Sequence, residues 1–95
     1  MSDIVRLVLD VLKPHDPPLV EFTQPLSDIS GVEAVSATLV EIEEDTRSLQ
    51  LVVEGQNLDI DTIDEKVRDL GGAVHSVDQV VCGDRPTEFD DMLVR

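Results

Sequence analysis

The apolar residues of this chain repeat with two different periods, and the order of those periods limits the fold more than any other feature. Four segments have an apolar residue at about every second position: 4–12, 32–43, 48–55 and 73–82. This is the period of a strand with one buried face. The segment 13–18 contains three prolines and ends the first strand, because proline cannot donate a hydrogen bond to a sheet. The sequence therefore predicts four strands.

The segment that follows the first strand has a helical period. Phe22, Leu26 and Ile29 recur at spacings of three and four after Leu19, which predicts an amphipathic helix that ends at Gly31. Pro25 lies inside this pattern, where a proline costs about 3 kcal/mol. Either the helix is kinked at Pro25, or its regular part starts nearby with Thr23 as the cap.

A second helical pattern lies between the third and fourth strands. Its apolar stripe consists of Ile60, Ile63, Val67 and Leu70. Asn57 or Asp59 can cap its first turn, and Gly71-Gly72 marks its end.

The predicted element order is β-α-β-β-α-β, with the polar residues 43–47 as a hairpin turn. This order predicts an α+β fold, a ferredoxin-like sandwich whose four-stranded antiparallel sheet has the order 4-1-3-2 and both helices on one face. Residues 1–83 form the single predicted domain. Residues 84–95 are an acidic tail that forms a short helical turn or is disordered.

Charge is the most unusual part of the composition. The chain has 21 acidic and 7 basic residues, a net charge of −14, and neither Trp nor Tyr. The acidic residues are spread over every segment, which is typical of salt-adapted proteins and predicts a halophilic source. The net charge repels phosphates and the open sheet has no aromatic residues to stack on bases, so we expect no nucleic-acid partner.

The predicted location is the cytoplasm. Cys82 is the lone cysteine and cannot form an internal disulfide, which fits a reducing compartment; we expect it to be a small packing residue. The sequence has neither a recognisable signal peptide nor an apolar run long enough to span a membrane, so no membrane partner is expected.

Three motifs in order carry a family resemblance: residues 9–15, 54–59 and 71–81. Together they resemble the small archaeal proteins of the family called domain of unknown function 211. The resemblance covers nearly the whole chain up to Gly83, and it implies a ferredoxin-like fold, an archaeal source and homo-oligomers. It brings no established activity, so no catalytic residue is carried over.

Histidines and carboxylates form a first candidate site. Because strands 1 and 4 are predicted antiparallel neighbours, the end of one lies beside the start of the other. The residues expected at this end of the sheet are Asp10, His15, Asp16, Glu41, Glu43 and His75. Carboxylates favour Ca²⁺ or Mg²⁺ and histidine favours transition metals, so no cofactor is required here, and the candidate cofactor is a divalent cation, Ca²⁺ or Mg²⁺ before a transition metal. Strands 2 and 4 are opposite edges, so all six cannot bind one ion, and the alternative is a solvated acidic turn with two ordinary histidines.

The sheet face without helices is a second candidate site. Four valines are expected on it, Val8, Val40, Val52 and Val80, among polar residues. The polar residues predicted to bind a small ligand are Arg6, Asp10, Thr38 and Gln50. Such a mixed surface favours association with a second copy or a ligand crevice at a subunit boundary. The alternative is an ordinary exposed sheet with scattered valines.

These features favour a non-enzymatic, self-associating binding or regulatory module. It would hold a small polar ligand or a divalent cation at its subunit boundaries. Two alternatives stay open: a metal-dependent enzyme that uses His15 and His75 across chains, and a purely structural interaction protein. No nucleotide-binding or nucleophile motif is present in the sequence.

Overall fold

The predicted strands and helices are present in the structure, a computed structural model that describes residues 3–84. In chain order they are β1 (Ile4–Pro14), α1 (Leu19–Ser27), β2 (Val32–Ile42), β3 (Thr46–Gly55), α2 (Ile60–Asp69) and β4 (Ala73–Cys82). All strand pairs are antiparallel and the sheet order is β2-β3-β1-β4, which is the predicted order read from the other edge. The ferredoxin-like α+β fold is therefore confirmed.

Both helices bury their apolar stripes against one face of the sheet. Phe22 and Leu26 of α1 share a core with Ile63 and Val67 of α2. The central strands contribute Leu7, Leu9, Val11, Leu49, Leu51 and Val53. Each such side chain stabilises the fold by about 1.5–3 kcal/mol when it leaves water. The opposite side of the sheet, which we call the open face, carries the alternate residues of β1 and β3.

Helix α1 ends at Ser27, whereas its apolar pattern predicted an end at Gly31. Thr23 is inside the helix and its hydroxyl donates to the Leu19 carbonyl at 2.7 Å, so the alternative in which Thr23 caps the helix is not the one observed. Pro25 lies in the last turn. There its missing N–H removes a single helical hydrogen bond and the chain leaves the helix soon afterwards.

Helix α2 has a side-chain cap at Asp59, one of the two residues predicted to cap it. The Asp59 carboxylate accepts from the Asp61 amide at 3.2 Å and from the Thr62 hydroxyl at 2.9 Å. A cap of this kind contributes about 0.5–2 kcal/mol. Gly71 follows the helix with φ of +94°, a conformation that favours glycine.

Strand β4 does not follow a simple two-residue alternation. Three of its valines pair with core residues of β1: Val74 with Val11, Val77 with Leu9 and Val80 with Leu7. His75 and Asp78 are the extra residues at two register shifts, so the helix-facing positions recur every third residue. Val80 therefore lies on the helix side, and its predicted place on the open face is taken by Val81, which pairs with Arg6.

Three further predictions concern Cys82, membrane-spanning helices and the C-terminal tail. Cys82 is exposed, so the prediction that it packs inside the protein was wrong. Within residues 3–84, no helix is long and apolar enough to cross a bilayer. The predicted tail, apart from its first residue, lies outside the described residues.

Candidate functional site

A pocket of about 260 Å³ opens beside α1, at the end of the sheet where β1 meets the hairpin turn. Its lining is Lys13, His15, Asp16, Pro18, Leu19, Leu39, Arg47 and Leu49, and we call it the basic pocket. The β1–β3 register pairs Lys13 directly with Arg47. Two cations from neighbouring strands therefore lie side by side, with His15 next to them.

Lys13 is unusual because it is a buried lysine, with 3% of its surface exposed. Its Nζ donates to the carbonyl of Pro14 at 2.8 Å and to that of His15 at 3.4 Å. The same atom lies 5.9 Å from the centroid of the Phe22 ring, within reach of a cation–π interaction. Burial lowers the pKa of Lys13 below its ordinary value; Arg47 lowers it further, and Asp16 acts in the opposite direction.

Arg47 connects two segments around the pocket. One terminal nitrogen donates to the carbonyls of Glu43, at 2.9 Å, and Thr46, at 3.3 Å. Its other terminal nitrogen is 2.8 Å from Nδ1 of His15. Since a guanidinium only donates, Nδ1 must accept and the ring hydrogen of a neutral His15 is on Nε2. The hairpin turn and the β1–α1 loop are thus held in a fixed relation.

Lys13 and Arg47 were missed as site residues, although the sequence contains a signal for both. Lys13 continues the two-residue phase of the buried face of β1, and Arg47 does the same at the start of β3. A charged residue in the phase of a buried face is expensive to fold. Such a position is therefore a sequence-level indicator of a functional site.

Within residues 3–84 the two cations of the basic pocket form no ion pair, although the Asp16 carboxylate also lines the pocket. Arg6 and Arg68 each pair with a carboxylate, of Glu54 and Asp64 respectively. Within the described part of the chain, neither Lys13 nor Arg47 has a carboxylate within salt-bridge distance. Two adjacent cations raise the free energy of the empty pocket, and an anionic ligand would lower it.

Three of the four residues predicted to bind a ligand on the open face lie in one row. Gln50 of β3 pairs with Asp10 on one side and with Thr38 on the other. Arg6 lies four positions earlier along β1, where it forms an ion pair with Glu54 and donates to Gln79 at 2.9 Å. The structure therefore brings Asp10, Gln50 and Thr38 together and holds Arg6 apart from them.

Four of the six residues predicted to bind a metal are divided between two sites. Asp10 and Glu41 line a hollow of about 340 Å³ on the open face, together with Asp78. His15 and Asp16 line the basic pocket instead. Glu43 approaches this pocket through its backbone carbonyl.

The two predicted histidines lie on opposite sides of β1. His15 contacts Arg47 of β3, while His75 lies in β4 on the far side of β1. Strands β3 and β4 are two sheet spacings apart, about 10 Å. Among residues 3–84, no group of three His, Cys, Asp or Glu side chains is arranged to hold a metal ion. A cation site built from the predicted residues would need further ligands from outside residues 3–84, and it stays a prediction.

Comparisons with known proteins agree with the resemblance found in the motifs. The model of the family domain of unknown function 211, described as "Uncharacterized ArCR", matches residues 5–93. A relative from Methanocaldococcus jannaschii, "Uncharacterized protein MJ0319", is 41% identical over 88 residues, which are 93% of this chain and 91% of the relative. The chain therefore belongs to the domain of unknown function 211 family.

Proposed function

We propose that this domain is a self-associating binding module that holds a small anionic ligand in the basic pocket. The observation that carries the proposal is the pair of cations, Lys13 and Arg47, which lie side by side without a carboxylate partner among the described residues. In a chain with a net charge of −14, carboxylates are abundant, so two pocket cations that form no ion pair within residues 3–84 favour an anion site.

The arrangement supports binding rather than a general basic surface. Lys13 is buried and held by two backbone carbonyls, and Arg47 is held by two more and by His15. Side chains fixed in this way lose little conformational entropy when a ligand arrives. Hydrogen bonds between a charged donor and a carboxylate or phosphate each contribute about 1.5–3 kcal/mol.

Self-association is supported by the exposed edge of the sheet. Strand β2 is an edge strand and exposes Leu39, Val40 and Ile42, the last two by more than 60%. An edge with free backbone groups and apolar side chains is a template for pairing with another chain. Leu39 also lines the basic pocket, so a second copy on this edge would place the ligand at a subunit boundary.

The binding proposal is tested by NMR titration of the full chain with acetate, phosphate and sulfate at constant ionic strength. We expect amide shifts around residues 13–19 and 46–49 with at least one of these anions. Lys13→Met and Arg47→Gln should each weaken binding by about 10- to 150-fold, the equivalent of one lost charge-assisted hydrogen bond. Lys66→Met and Arg68→Gln are the matched controls, because they remove the same charges from α2.

Two results would contradict the proposal. One is the absence of shifts at the pocket with all three anions. The other is an equal loss of affinity in the α2 controls, which would mean that the anions respond to overall charge alone. Light scattering of the same samples in high salt tests self-association separately, and a clean monomer would remove that part.

A further inference from the structure

We propose that the natural ligand of the basic pocket is a small hydrophobic carboxylate, a monocarboxylic acid with an aliphatic or aromatic body of a few carbons. This inference rests on the proposed function and adds the chemical class of the ligand. Three properties of the pocket support it: its lining is charged at one end and apolar elsewhere, few hydrogen-bond donors remain unused, and its volume suits a small ligand.

The walls of the basic pocket are charged at one end and apolar over the rest. Lys13, Arg47, His15 and Asp16 form the charged end, where the two cations outnumber the one carboxylate, and the apolar wall consists of Pro18, Leu19, Leu39 and Leu49. Leu49 is fully buried, while Leu39 is 42% exposed and therefore has surface left for a ligand to cover. A ligand that fits both parts has a compact anionic head and an apolar body, because burying apolar surface is favourable and burying an unpaired polar group is not.

The donors left at the charged end suit two oxygens better than four. An ammonium has three N–H donors and a guanidinium has five. Contacts within residues 3–84 use two donors of Lys13 and three of Arg47. One donor of Lys13 and two donors of Arg47 therefore remain for a ligand. A carboxylate needs about this number. A phosphate would bring further oxygens and a second charge against an apolar wall and near Asp16.

The start of α1 adds to the preference for an anion. The helix has nine residues and begins at Leu19, which lines the pocket, and its cap residue Pro18 makes no side-chain cap. The first N–H groups of a helix have no partner within the helix and carry partial positive charge. This feature supports the cation pair and would not define a site without it.

The volume suits a small ligand. The pocket has about 260 Å³ of space and is open to solvent on one side, so it has room for a small organic acid without a strict upper limit. Hexanoate and benzoate are of this size. Larger acids would extend past Leu39 towards the β2 edge.

The test is a titration series of the full chain with acetate, butyrate, hexanoate and inorganic phosphate, followed by NMR at constant ionic strength. We expect the affinity to rise about two- to fourfold with each added methylene, and hexanoate to bind more tightly than phosphate. Leu39→Ser should reduce the gain per methylene. Val20→Ser is the matched control, because Val20 is 64% exposed on α1 and does not line the pocket; it should leave the series unchanged.

The outcomes separate this inference from the proposed function. If acetate and hexanoate bind equally, or phosphate binds more tightly than hexanoate, the pocket recognises charge alone; the inference is then wrong and the proposed function stands. If Val20→Ser flattens the series as much as Leu39→Ser does, the apolar body is not held in this pocket and the inference is wrong. If none of the four anions shifts residues of the pocket, both proposals fail.

Discussion

Replacing Gly55 with alanine is expected to destabilise the protein strongly, because the backbone of the α1–β2 connection passes directly over this position. A Cβ added to Gly55 would lie 2.0 Å from the Gly31 carbonyl oxygen and 3.0 Å from the Glu33 amide nitrogen. The Gly31 segment would have to move by more than about 1 Å to give ordinary contact, since real Cβ atoms essentially never approach closer than 3.0 Å. The Gly31 oxygen also accepts from the Gln56 amide at 2.9 Å, so that movement would break a hydrogen bond.

The expected cost follows from these two effects. Overpacking in a well-packed region costs about 1–3 kcal/mol, and the lost hydrogen bond about 0.5–1.5 kcal/mol. Together they lower the free energy of unfolding by about 2–4 kcal/mol, a large fraction of the roughly 5–15 kcal/mol of a small domain. The melting temperature should fall by roughly 8–30 °C.

Urea unfolding followed by circular dichroism measures this change, because the chain has no Trp or Tyr to report by fluorescence. Gln56→Ala is the control; its side chain is exposed, and the substitution should change stability by less than about 0.5 kcal/mol. The reasoning would be refuted if Gly55→Ala and Gln56→Ala had similar unfolding free energies.

Two further predictions concern the basic pocket and α1. Between the lowered pKa of Lys13 and its ordinary value of 10.5, the unfolded chain binds more protons than the folded one. The free energy of unfolding of the wild type should therefore rise with pH relative to Lys13→Met, by at most about 1.4 kcal/mol per pH unit; a relative fall in urea titrations over this range would show that burial does not disfavour the charged form. Pro25→Ala should stabilise the protein by about 1–2 kcal/mol, because it restores a helical N–H and removes a ring from α1; thermal unfolding that shows a loss of stability would mean that the ring contributes more through packing than it costs the helix.

Local signals in the sequence were sufficient for the elements of the fold. The helix α2 has a cap at Asp59 and a glycine end at Gly71, and both were predicted because they act within one helical turn. Helix α1 was predicted less well, since Pro25 and the missing side-chain cap give conflicting local signals. The sheet order also followed from the sequence, because few topologies connect these elements with short loops.

The details of strand β4 depended on pairing with its neighbour. Its valines recur every third residue, and only the register with β1 shows that His75 and Asp78 are extra residues. A sequence pattern by itself does not say which residue of an irregular strand is left unpaired. For the same reason, the strand pattern by itself did not determine where His75 lies relative to His15.

The sequence by itself determined the secondary structure, the sheet order and the acidic net charge, because these depend on periodicity, composition and connections between neighbouring elements. The tertiary structure alone decided which charged residues meet. His15 and Arg47 are 32 residues apart in the chain, and the β1–β3 register places Arg47 beside Lys13. Each cation stands out in its own strand only by its position in the phase of the buried face, and the pocket exists because two strands bring them together beside α1.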